Sequence, residues 1–523
     1  MTHLAADDQL PAVPREERVR SVLVVGGGSA GWMAAAALAT SLSRDIELRL
    51  VESEAIGTVG VGEATIPPIR QFNRFLRLDE RQFLRDTQGT FKLGIEFHNW
   101  ARQGDSYLHQ FGFVGREMDA VVKLHHWWLA GRLAGSEDYP DWQELSVARA
   151  LARENRFAPP LRNPQQMLGR YTYAYHFDAH LYAAHLRGIA EERGAQRVAG
   201  TITSVERNGE SGDVKAVLLD DGRRLEADLF VDCSGFRSLL LGGELAESWD
   251  DWSKWIPSDR ALAVPSKRGE GPVTPYTKGI AHEVGWQWRI PLQHRTGNGH
   301  VFASAFSGEA EAEQRLLATL DTEPVDTPRL IKFATGRRRR GWANNVVAIG
   351  LSAGFLEPME STSLHFVQSA LERLIELFPT RRMDPLLRDR FNSETALEWE
   401  RVRDFIIAHY HLTEREDSEF WRYTKNMTVP DSLTEVLETW RARGVLAIPG
   451  NHLFQTGSWA SVLIGQRFLP QGVHALTDRI SPEEIAEDIR KIHREAHAAA
   501  AGLPDHADYL AGYCSAEAGQ VRT

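Results

Sequence analysis

The chain has 523 residues, of which 42% are hydrophobic and 25% are charged. This length is too great for one simple core and predicts two or three closely packed substructures, in a composition ordinary for a globular protein. The formal net charge of −11 argues against a general nucleic-acid-binding protein, because such a protein needs a basic face.

The N-terminal segment and the cysteines bear on location. Residues 1–19 lack the apolar centre of a signal peptide and predict a flexible tail. No later stretch approaches the ~20 apolar residues that cross a bilayer, so no membrane association is expected. Cys233 and Cys514 are too few for a disulfide framework, which favours a reducing compartment. A cytoplasmic location is therefore expected.

The clearest local pattern is a β-α-β unit directly after the tail. Ser21–Val25 is a short β-branched run, typical of a buried parallel strand, and an alanine-rich helix-forming segment begins at Trp32. A second strand over 46–51 ends at Glu52. Between the first strand and the helix lies a GxGxxG loop of six residues, namely Gly26, Gly27, Gly28, Ser29, Ala30 and Gly31.

This loop predicts a dinucleotide site. The first glycine permits the tight turn, the second lets the backbone approach a pyrophosphate, and the third lets helix and strand pack closely. Glu52, about twenty residues further on, can accept hydrogen bonds from the ribose. Segments 232–235 and 348–354 are similar to later turns of flavoprotein hydroxylase folds, and no second GxGxxG is evident. We therefore expect FAD, with no obvious NAD(P)H site on this chain.

The pattern along the chain predicts an α/β protein with a Rossmann-type FAD-binding fold of the flavoprotein hydroxylase kind. The discontinuous FAD-binding domain is expected over 20–250 and 330–395. A sheet-based substrate region fills 251–329, a helical substrate-shaping region fills 396–500, and 501–523 form a tail. Ser481 and Pro482 predict the start of the last helix, and Gly502 its end.

Four further motifs carry a resemblance to a known family. They are the WxWxIP motif at 286–291, the segment FLEPMESTS at 355–363, FKLGIEF at 91–97 and GVGEATIP at 60–67. Together they closely resemble the flavin-dependent tryptophan halogenase family, from about residue 20 to about residue 475. The family pattern FxxPxxSxG is met except that Ser363 stands at its last position.

The resemblance implies an enzyme that uses reduced FAD, O2 and chloride or bromide to halogenate an electron-rich aromatic ring through hypohalous acid. Lys92 would hydrogen-bond to or react with the hypohalous acid, and Glu360 would stabilise the cationic ring and take its proton. Halide would lie on the backbone N–H groups of Thr362 and Ser363. Ala64 and Leu351 would contact the flavin. Reduced FAD would come from a separate NAD(P)H-dependent flavin reductase.

Trp286 and Trp288 are suited to shield the flavin from organic substrate, because both are bulky and apolar. By the same resemblance, His109 and Phe111 match the aromatic pair that sandwiches an indole ring. The residues by which the family holds the amine and carboxylate of free tryptophan look absent around 449–461. A site without those polar partners holds a zwitterion poorly. The hypothesis is therefore indole, an indole derivative or a phenol, with Phe454 and Trp459 as apolar lining.

Two other functions stay open at this point: an aromatic monooxygenase that uses the same flavin, and a flavin-binding protein without turnover. A GxSxG at 350–354 has the form of a hydrolase elbow, but the flavin motif accounts for the same glycines. His176 and His180 have zinc-like spacing without a third ligand, and His409 and His411 look equally unremarkable, so no metal site is expected. A homodimer through an exposed helical face is compatible with the sequence.

Overall fold

A computed structural model describes residues 13–53 and 62–515. The strands in this range are β1 (Ser21–Val25), β2 (Glu47–Glu52), β3 (Gly62–Ala64), β4 (Thr90–Lys92), β5 (Gly94–His98), β6 (Ser106–Gln110), β7 (Ala174–Asp178), β8 (Gln196–Ala199), β9 (Ile202–Arg207), β10 (Val214–Leu219), β11 (Arg224–Glu226), β12 (Leu229–Asp232), β13 (Trp249–Asp251), β14 (Arg260–Lys267), β15 (Thr277–Ala281), β16 (Trp286–Pro291), β17 (Arg295–Phe302), β18 (Arg329–Lys332), β19 (Gly336–Arg338), β20 (Trp342–Ala343), β21 (Val346–Ala348) and β22 (Gly354–Phe355). The helices are α1 (Ser29–Ser41), α2 (Pro68–Phe75), α3 (Glu80–Asp86), α4 (Leu124–Gly131), α5 (Val147–Arg153), α6 (Ala179–Glu192), α7 (Glu309–Ala318), α8 (Ser363–Glu376), α9 (Pro385–His411), α10 (Glu419–Asn426), α11 (Asp431–Arg443), α12 (Thr456–Gly465), α13 (Pro482–Ala501) and α14 (His506–Cys514).

The nucleotide-fold sheet has six strands in the order β20-β21-β12-β1-β2-β8. Strand β1 pairs in parallel with both β2 and β12, and β12 pairs in parallel with β21. Helix α1 follows β1 directly and packs beside α6. Its alanines at 34–37 are fully buried, since small side chains let the helix lie close to the sheet. The predicted Rossmann-type fold is confirmed.

A second, seven-stranded sheet has the order β18-β14-β17-β16-β15-β5-β6. The sheet-based region predicted for 251–329 is therefore too narrow, because β5 and β6 join the sheet from residues 94–110. The parallel pairing of β15 with β5 connects the two parts. Helix α7 also interrupts the region. A smaller sheet with the strand order β3-β7-β4 lies beside this sheet. Its strand β4 ends at Lys92.

The C-terminal part is helical from α9 onward, as predicted. Helix α13 begins after Ser481, which forms a capping box with Glu484, and ends at Gly502. The tail predicted for 501–523 is wrong for the residues described, because α14 occupies 506–514. Its residue His506 is fully buried and accepts a hydrogen bond from the backbone N–H of Phe91 at 3.3 Å. No local pattern predicts this helix, because its contact with Phe91 spans 415 residues of sequence.

The described part of the predicted N-terminal tail is also held in place. Val19 is buried, and the carbonyl oxygen of Glu17 accepts a hydrogen bond from the backbone N–H of Arg381 at 2.8 Å. Residues 1–12 and 516–523, which complete the two predicted tails, lie outside the described residues. Among the helices that are described, none has the length and apolar character to cross a membrane.

Candidate active site

The glycine loop meets the start of α1 at the edge of the six-stranded sheet. Gly26 has φ +112°, and a Cβ there would lie 2.3 Å from the carbonyl oxygen of Cys233. A Cβ on Gly31 would lie 1.8 Å from the carbonyl oxygen of Gly26, whereas a Cβ on Gly28 would meet nothing within 4 Å. The first and third glycines are thus required by the fold itself. Gly28 leaves open space above an uncapped helix N-terminus, as a pyrophosphate needs.

Two substitutions in this loop are expected to separate binding from folding. Gly28→Ala should leave the thermal midpoint of the flavin-free protein unchanged but weaken FAD binding about tenfold or more, because the methyl group occupies the phosphate space. Gly31→Ala should destabilise the protein by about 1–3 kcal/mol through overpacking. Thermal unfolding and fluorescence titration with FAD measure the two effects. Wild-type FAD affinity in Gly28→Ala would contradict a pyrophosphate at this position.

The loop opens into a cleft of about 450 Å³. Ten of the residues predicted for the cofactor, the halide or flavin shielding line it, namely Gly26, Gly27, Gly28, Ser29, Ala30, Glu52, Ala64, Trp288, Leu351 and Ser363. Gly31, Trp286 and Thr362 lie behind this surface. Cys233–Gly235 and Gly350 also line the cleft, which extends from the loop to Trp288, so its residues fit an extended dinucleotide such as FAD. The individual binding roles stay predictions.

Two acidic residues, Glu52 and Glu63, line the cleft. Glu52 lies at the end of β2, as predicted, and accepts a hydrogen bond from the indole N–H of Trp32 at 3.3 Å. Arg197 pairs with the same carboxylate. Glu63 was missed by the sequence analysis, although it lies in the GVGEATIP motif. Burial, followed by the charge of Asp178, raises the pKa of Glu63 to about 7. Residues 60–61 of that motif lie outside the described residues.

Lys92 is completely buried at the end of β4. Its Nζ donates hydrogen bonds to the carbonyl oxygen of Thr65 at 2.9 Å and to Oγ of Ser361 at 2.8 Å. The same atom lies 5.3 Å from the centre of the Phe111 ring. Burial lowers the pKa of Lys92 to about 7, against the opposing effect of Glu360. Near neutral pH this side chain is therefore divided between ammonium and amine.

This pKa has a consequence for stability that can be measured. A lysine whose pKa is lower in the folded state destabilises the fold most below that folded pKa, because the unfolded chain then binds its proton more tightly. The penalty disappears as the pH rises from about 7 towards the unfolded value of 10.5. Lys92→Met lacks the titrating group. The thermal midpoint of Lys92→Met minus that of the wild type should therefore be larger by several degrees at pH 7 than at pH 9.5. An equal difference between the two proteins at both pH values would contradict a lowered pKa of the buried Lys92.

Glu360 is completely buried between two histidines. Its Oε2 lies 2.7 Å from Nδ1 of His109, and its Oε1 lies 2.9 Å from Nε2 of His409. Burial alone raises the pKa of a carboxyl, but the two histidines oppose it and lower the pKa of Glu360 to about 2. The carboxylate is therefore ionised throughout the neutral range. Glu360 and Ser361 are adjacent, so one short segment contacts both His109 and Lys92.

His409 was expected to be an unremarkable helix residue, and this expectation is wrong, because His409 contacts Glu360. It lies on α9, and its Nδ1 is 2.8 Å from the carbonyl oxygen of Phe405, which fixes the proton on that nitrogen. Its Nε2 faces Oε1 of Glu360 at 2.9 Å, and the geometry of this contact is not that of a hydrogen bond. The helical spacing of His409 gave no signal of this contact, because Glu360 is 49 residues away in sequence. His176 was also misplaced, since it ends up on β7 and not one helical turn from His180 on α6.

The predicted halide residues lie where α8 begins. Ser361 has φ +58°, Thr362 is the N-cap of α8, and no described side chain caps this end of the helix. Thr362 is fully buried, whereas Ser363 faces the cleft. The backbone N–H groups of a first helical turn lack partners within the helix and favour an anion. Anion binding at this point stays a prediction.

The two tryptophans of WxWxIP lie on β16. Trp288 forms part of the cleft wall, opposite Gly299 on β17, where any Cβ would come within 2.0 Å of its ring. Trp286 lies deeper, with its ring centre 6.3 Å from that of Trp100, and its indole N–H lies 3.3 Å from Oε2 of Glu357. Burial raises the pKa of Glu357 to about 7. Only Trp288 is thus in direct reach of a group bound in the cleft.

The predicted substrate residues meet in an aromatic cluster around Phe405. Phe454 stacks on Phe405 with ring centres 4.0 Å apart, and Trp459 contacts the same ring edge-on at 4.9 Å. The ring of His109 lies 5.9 Å from that of Phe454. The fourth predicted residue, Phe111, lies next to Lys92 and has no ring contact with this cluster among the described residues. The four predicted residues therefore lie around the Lys92–Glu360 region, although binding of a substrate there stays a prediction.

One group of three possible metal ligands occurs among the residues described. Glu144, His493 and His497 bring their ligand atoms within 4.8 Å of one another, far from Lys92 in sequence. His497 Nε2 lies 3.1 Å from Glu144 Oε2, as in an ordinary ion pair. The sequence signal would have been the HxxxH spacing on α13. The expectation of no metal site therefore stays untested.

Comparison with known proteins identifies the family. The tryptophan halogenase family model matches residues 21–482. A tryptophan 7-halogenase of Kutzneria sp. is 37% identical over 453 residues, covering 83% of this chain and 84% of that protein. The solved structure of a flavin-dependent halogenase from Xanthomonas campestris is 43% identical, with a TM-score of 0.92 over 96% of this chain and 99% of that one. A flavin-dependent halogenase from Brevundimonas sp. BAL3 is 42% identical, with a TM-score of 0.91 over 95% of this chain and 100% of that one. The chain therefore belongs to the tryptophan halogenase family and is a flavin-dependent halogenase.

Proposed function

We propose that this enzyme halogenates an electron-rich indole, using reduced FAD, O2 and chloride or bromide. The observation that carries the proposal is that Lys92 and Glu360 are both completely buried and are linked by one short segment. Ser361 accepts a hydrogen bond from Lys92, and the adjacent Glu360 contacts His109 of the aromatic cluster. A buried cation and a buried carboxylate of this kind are costly to a fold and typical of a functional site.

Bound FAD, once reduced, would supply two electrons to activate O2, and O2 would be the oxidant that converts halide to hypohalous acid. Lys92 would then hold the hypohalous acid. Its two hydrogen bonds fix the position of Nζ, and its pKa of about 7 leaves a useful share of ammonium, which can donate to the oxygen of the acid and make the halogen more electrophilic. The amine share can instead react with the acid.

Glu360 would act on the ring. Attack of an indole carbon on the halogen leaves a cationic ring, and the ionised carboxylate stabilises that charge in a buried site. The same ring carbon must then lose its hydrogen as a proton. Such a cation is a strong acid, so a carboxylate with a pKa of about 2 is basic enough to accept this proton. His109 and His409 keep the carboxylate ionised and oriented.

Trp288 would keep organic substrate away from the flavin, and Thr362 and Ser363 would hold the halide at the start of α8. This division explains why an aromatic ring is halogenated and not hydroxylated. A separate NAD(P)H-dependent flavin reductase is the expected partner for supplying reduced FAD. A cytoplasmic location and a homodimer stay predictions.

One assay tests the proposal. The full-length protein is supplied with reduced FAD from a flavin reductase, O2, bromide and indole, and the products are analysed by mass spectrometry. A product with the isotope pair of bromine supports halogenation. A product that gains one oxygen and no halogen would show a monooxygenase instead. Flavin binding without product across a panel of indoles and phenols would show a protein without turnover and would also overturn the proposal.

A further inference from the structure

A second cavity, of about 410 Å³, lies next to the aromatic cluster. Two predicted substrate residues, Phe454 and Trp459, form part of its wall. Through Phe454 this wall is one side chain away from His109, and His109 contacts Glu360. The volume is in the range of small-molecule sites. The cavity therefore adjoins the aromatic cluster, with the side chains of Phe454 and His109 between it and Glu360.

The cavity has an apolar end and a polar end. Phe454, Trp459 and Val402 supply the apolar side, whereas residues 450–452 and several charged side chains of α8 and α9 supply the polar side. An occupant that matches this division has an aromatic ring at one end and a polar group at the other. The sign of the charge on that polar group can be inferred from the charges already present.

Most charged groups in the cavity wall are paired with one another. Glu398 lies 2.8 Å from both His365 Nε2 and Arg373 Nη1, and Glu394 pairs with Arg390. Arg401 differs, because its guanidinium makes no ion pair with any residue in 13–53 or 62–515. Its Nη1 donates a long hydrogen bond of 3.4 Å to Oδ1 of Asn451. One guanidinium therefore lines the cavity with donors to spare.

His452 lies on the same polar side, and its Nε2 has no hydrogen-bond partner among the described residues. Burial, followed by the charge of Arg401, lowers the pKa of His452 to about 4, so its ring is neutral at pH 7. The carboxylates that could attract an ammonium group are already occupied by His365, Arg373 and Arg390. The polar end thus offers donors to an anion and no free acceptor charge to a cation.

We propose that the substrate is an indole that carries a carboxylate, and that Arg401 binds this carboxylate while Phe454 and Trp459 contact the ring. This inference rests on the proposed function and names its substrate class. The residues by which the family holds the amine and the carboxylate of free tryptophan look absent around 449–461. In this proposal Arg401 binds the carboxylate in their place, and no partner for an ammonium group is needed. Indole-3-acetate should accordingly be a better substrate than indole, and tryptamine a worse one.

The test compares indole-3-acetate with tryptamine in the bromination assay. In the wild-type enzyme the acid should have the higher kcat/KM. Arg401→Gln should reduce the ratio of kcat/KM for the acid to that for tryptamine about tenfold or more, mainly through KM for the acid, because a charge-assisted hydrogen bond is lost. Arg401→Lys should recover part of the ratio. Arg388→Gln, on the same helix but outside the cavity wall, is the matched control and should keep the wild-type ratio.

Calorimetric titration of the protein with indole-3-acetate decides the inference independently of turnover. Arg401→Gln should weaken this binding about tenfold, and Arg388→Gln should not change it. Unchanged binding in Arg401→Gln, or an unchanged ratio of the two substrates, would overturn the role of Arg401 while bromination itself still supports the proposed function. Absence of any brominated product would overturn the proposed function, and the titration would still decide whether Arg401 binds the acid.

Discussion

Lys92→Met is expected to abolish halogenation and to leave FAD binding unchanged. Methionine keeps the volume of the side chain, so the buried space between Thr65 and Ser361 stays filled. It removes the group proposed to hold the hypohalous acid, and we expect a loss of about 10²–10⁴-fold in product formation. The bromination assay and a fluorescence titration with FAD measure the two properties on the same preparation.

Lys267→Met is the control for loss of a lysine, because Lys267 is exposed and pairs with Glu323 at 2.7 Å. It should retain wild-type activity. If Lys92→Met still brominates indole at a comparable rate, Lys92 does not guide the halogen. Loss of FAD binding in Lys92→Met would show that the substitution disturbs the cleft, and it would contradict the prediction. The prediction therefore includes an unchanged affinity for FAD.

Glu360→Gln is expected to lower kcat by about 10²–10³-fold with a smaller effect on KM. Glutamine keeps the shape of the side chain but cannot stabilise a cationic ring by charge, and it accepts a proton poorly. It also leaves two histidines without their carboxylate, so the variant should be less stable in addition. Steady-state kinetics of bromination, together with thermal unfolding, separate the two consequences.

Glu96→Gln is the matched control for this variant. Glu96 is another buried carboxylate, 2.9 Å from His98 and 2.8 Å from Arg149, and it lines neither cavity. Its substitution should lower the thermal midpoint without a comparable fall in kcat. An equal fall in kcat for both variants would show that Glu360→Gln acts only through lost stability. A wild-type kcat in Glu360→Gln would show that Glu360 takes no part in the reaction.

The sequence was most informative where a function depends on a local pattern. Strand, glycine loop and helix are consecutive from Ser21 to Ser41, so the turn at Gly26 and the open space at Gly28 could be predicted from a few residues. Lys92 and Glu360 carry no such local signal. They could be found only through the resemblance, because 268 residues separate them and their proximity is a property of the folded chain.

The features that were missed share this dependence on distant contacts. His409 looks like an ordinary residue of a long helix until Glu360 is placed against it. Helix α14 is short, with a weak apolar pattern, and its position depends on contacts of His506 with Phe91 and Val273. Strand β5 likewise joins its sheet by pairing with β15 across more than 180 residues, and β6 joins through β5.

The contacts that position Lys92 join distant parts of the chain. Nζ is held by Thr65 and Ser361, at sequence separations of 27 and 269 residues, and the neighbouring Phe91 is bonded to His506, 415 residues away. Contacts over such separations require long loops of chain to close, which costs conformational entropy. The position of Lys92 therefore depends on contacts from segments that lie far apart in sequence.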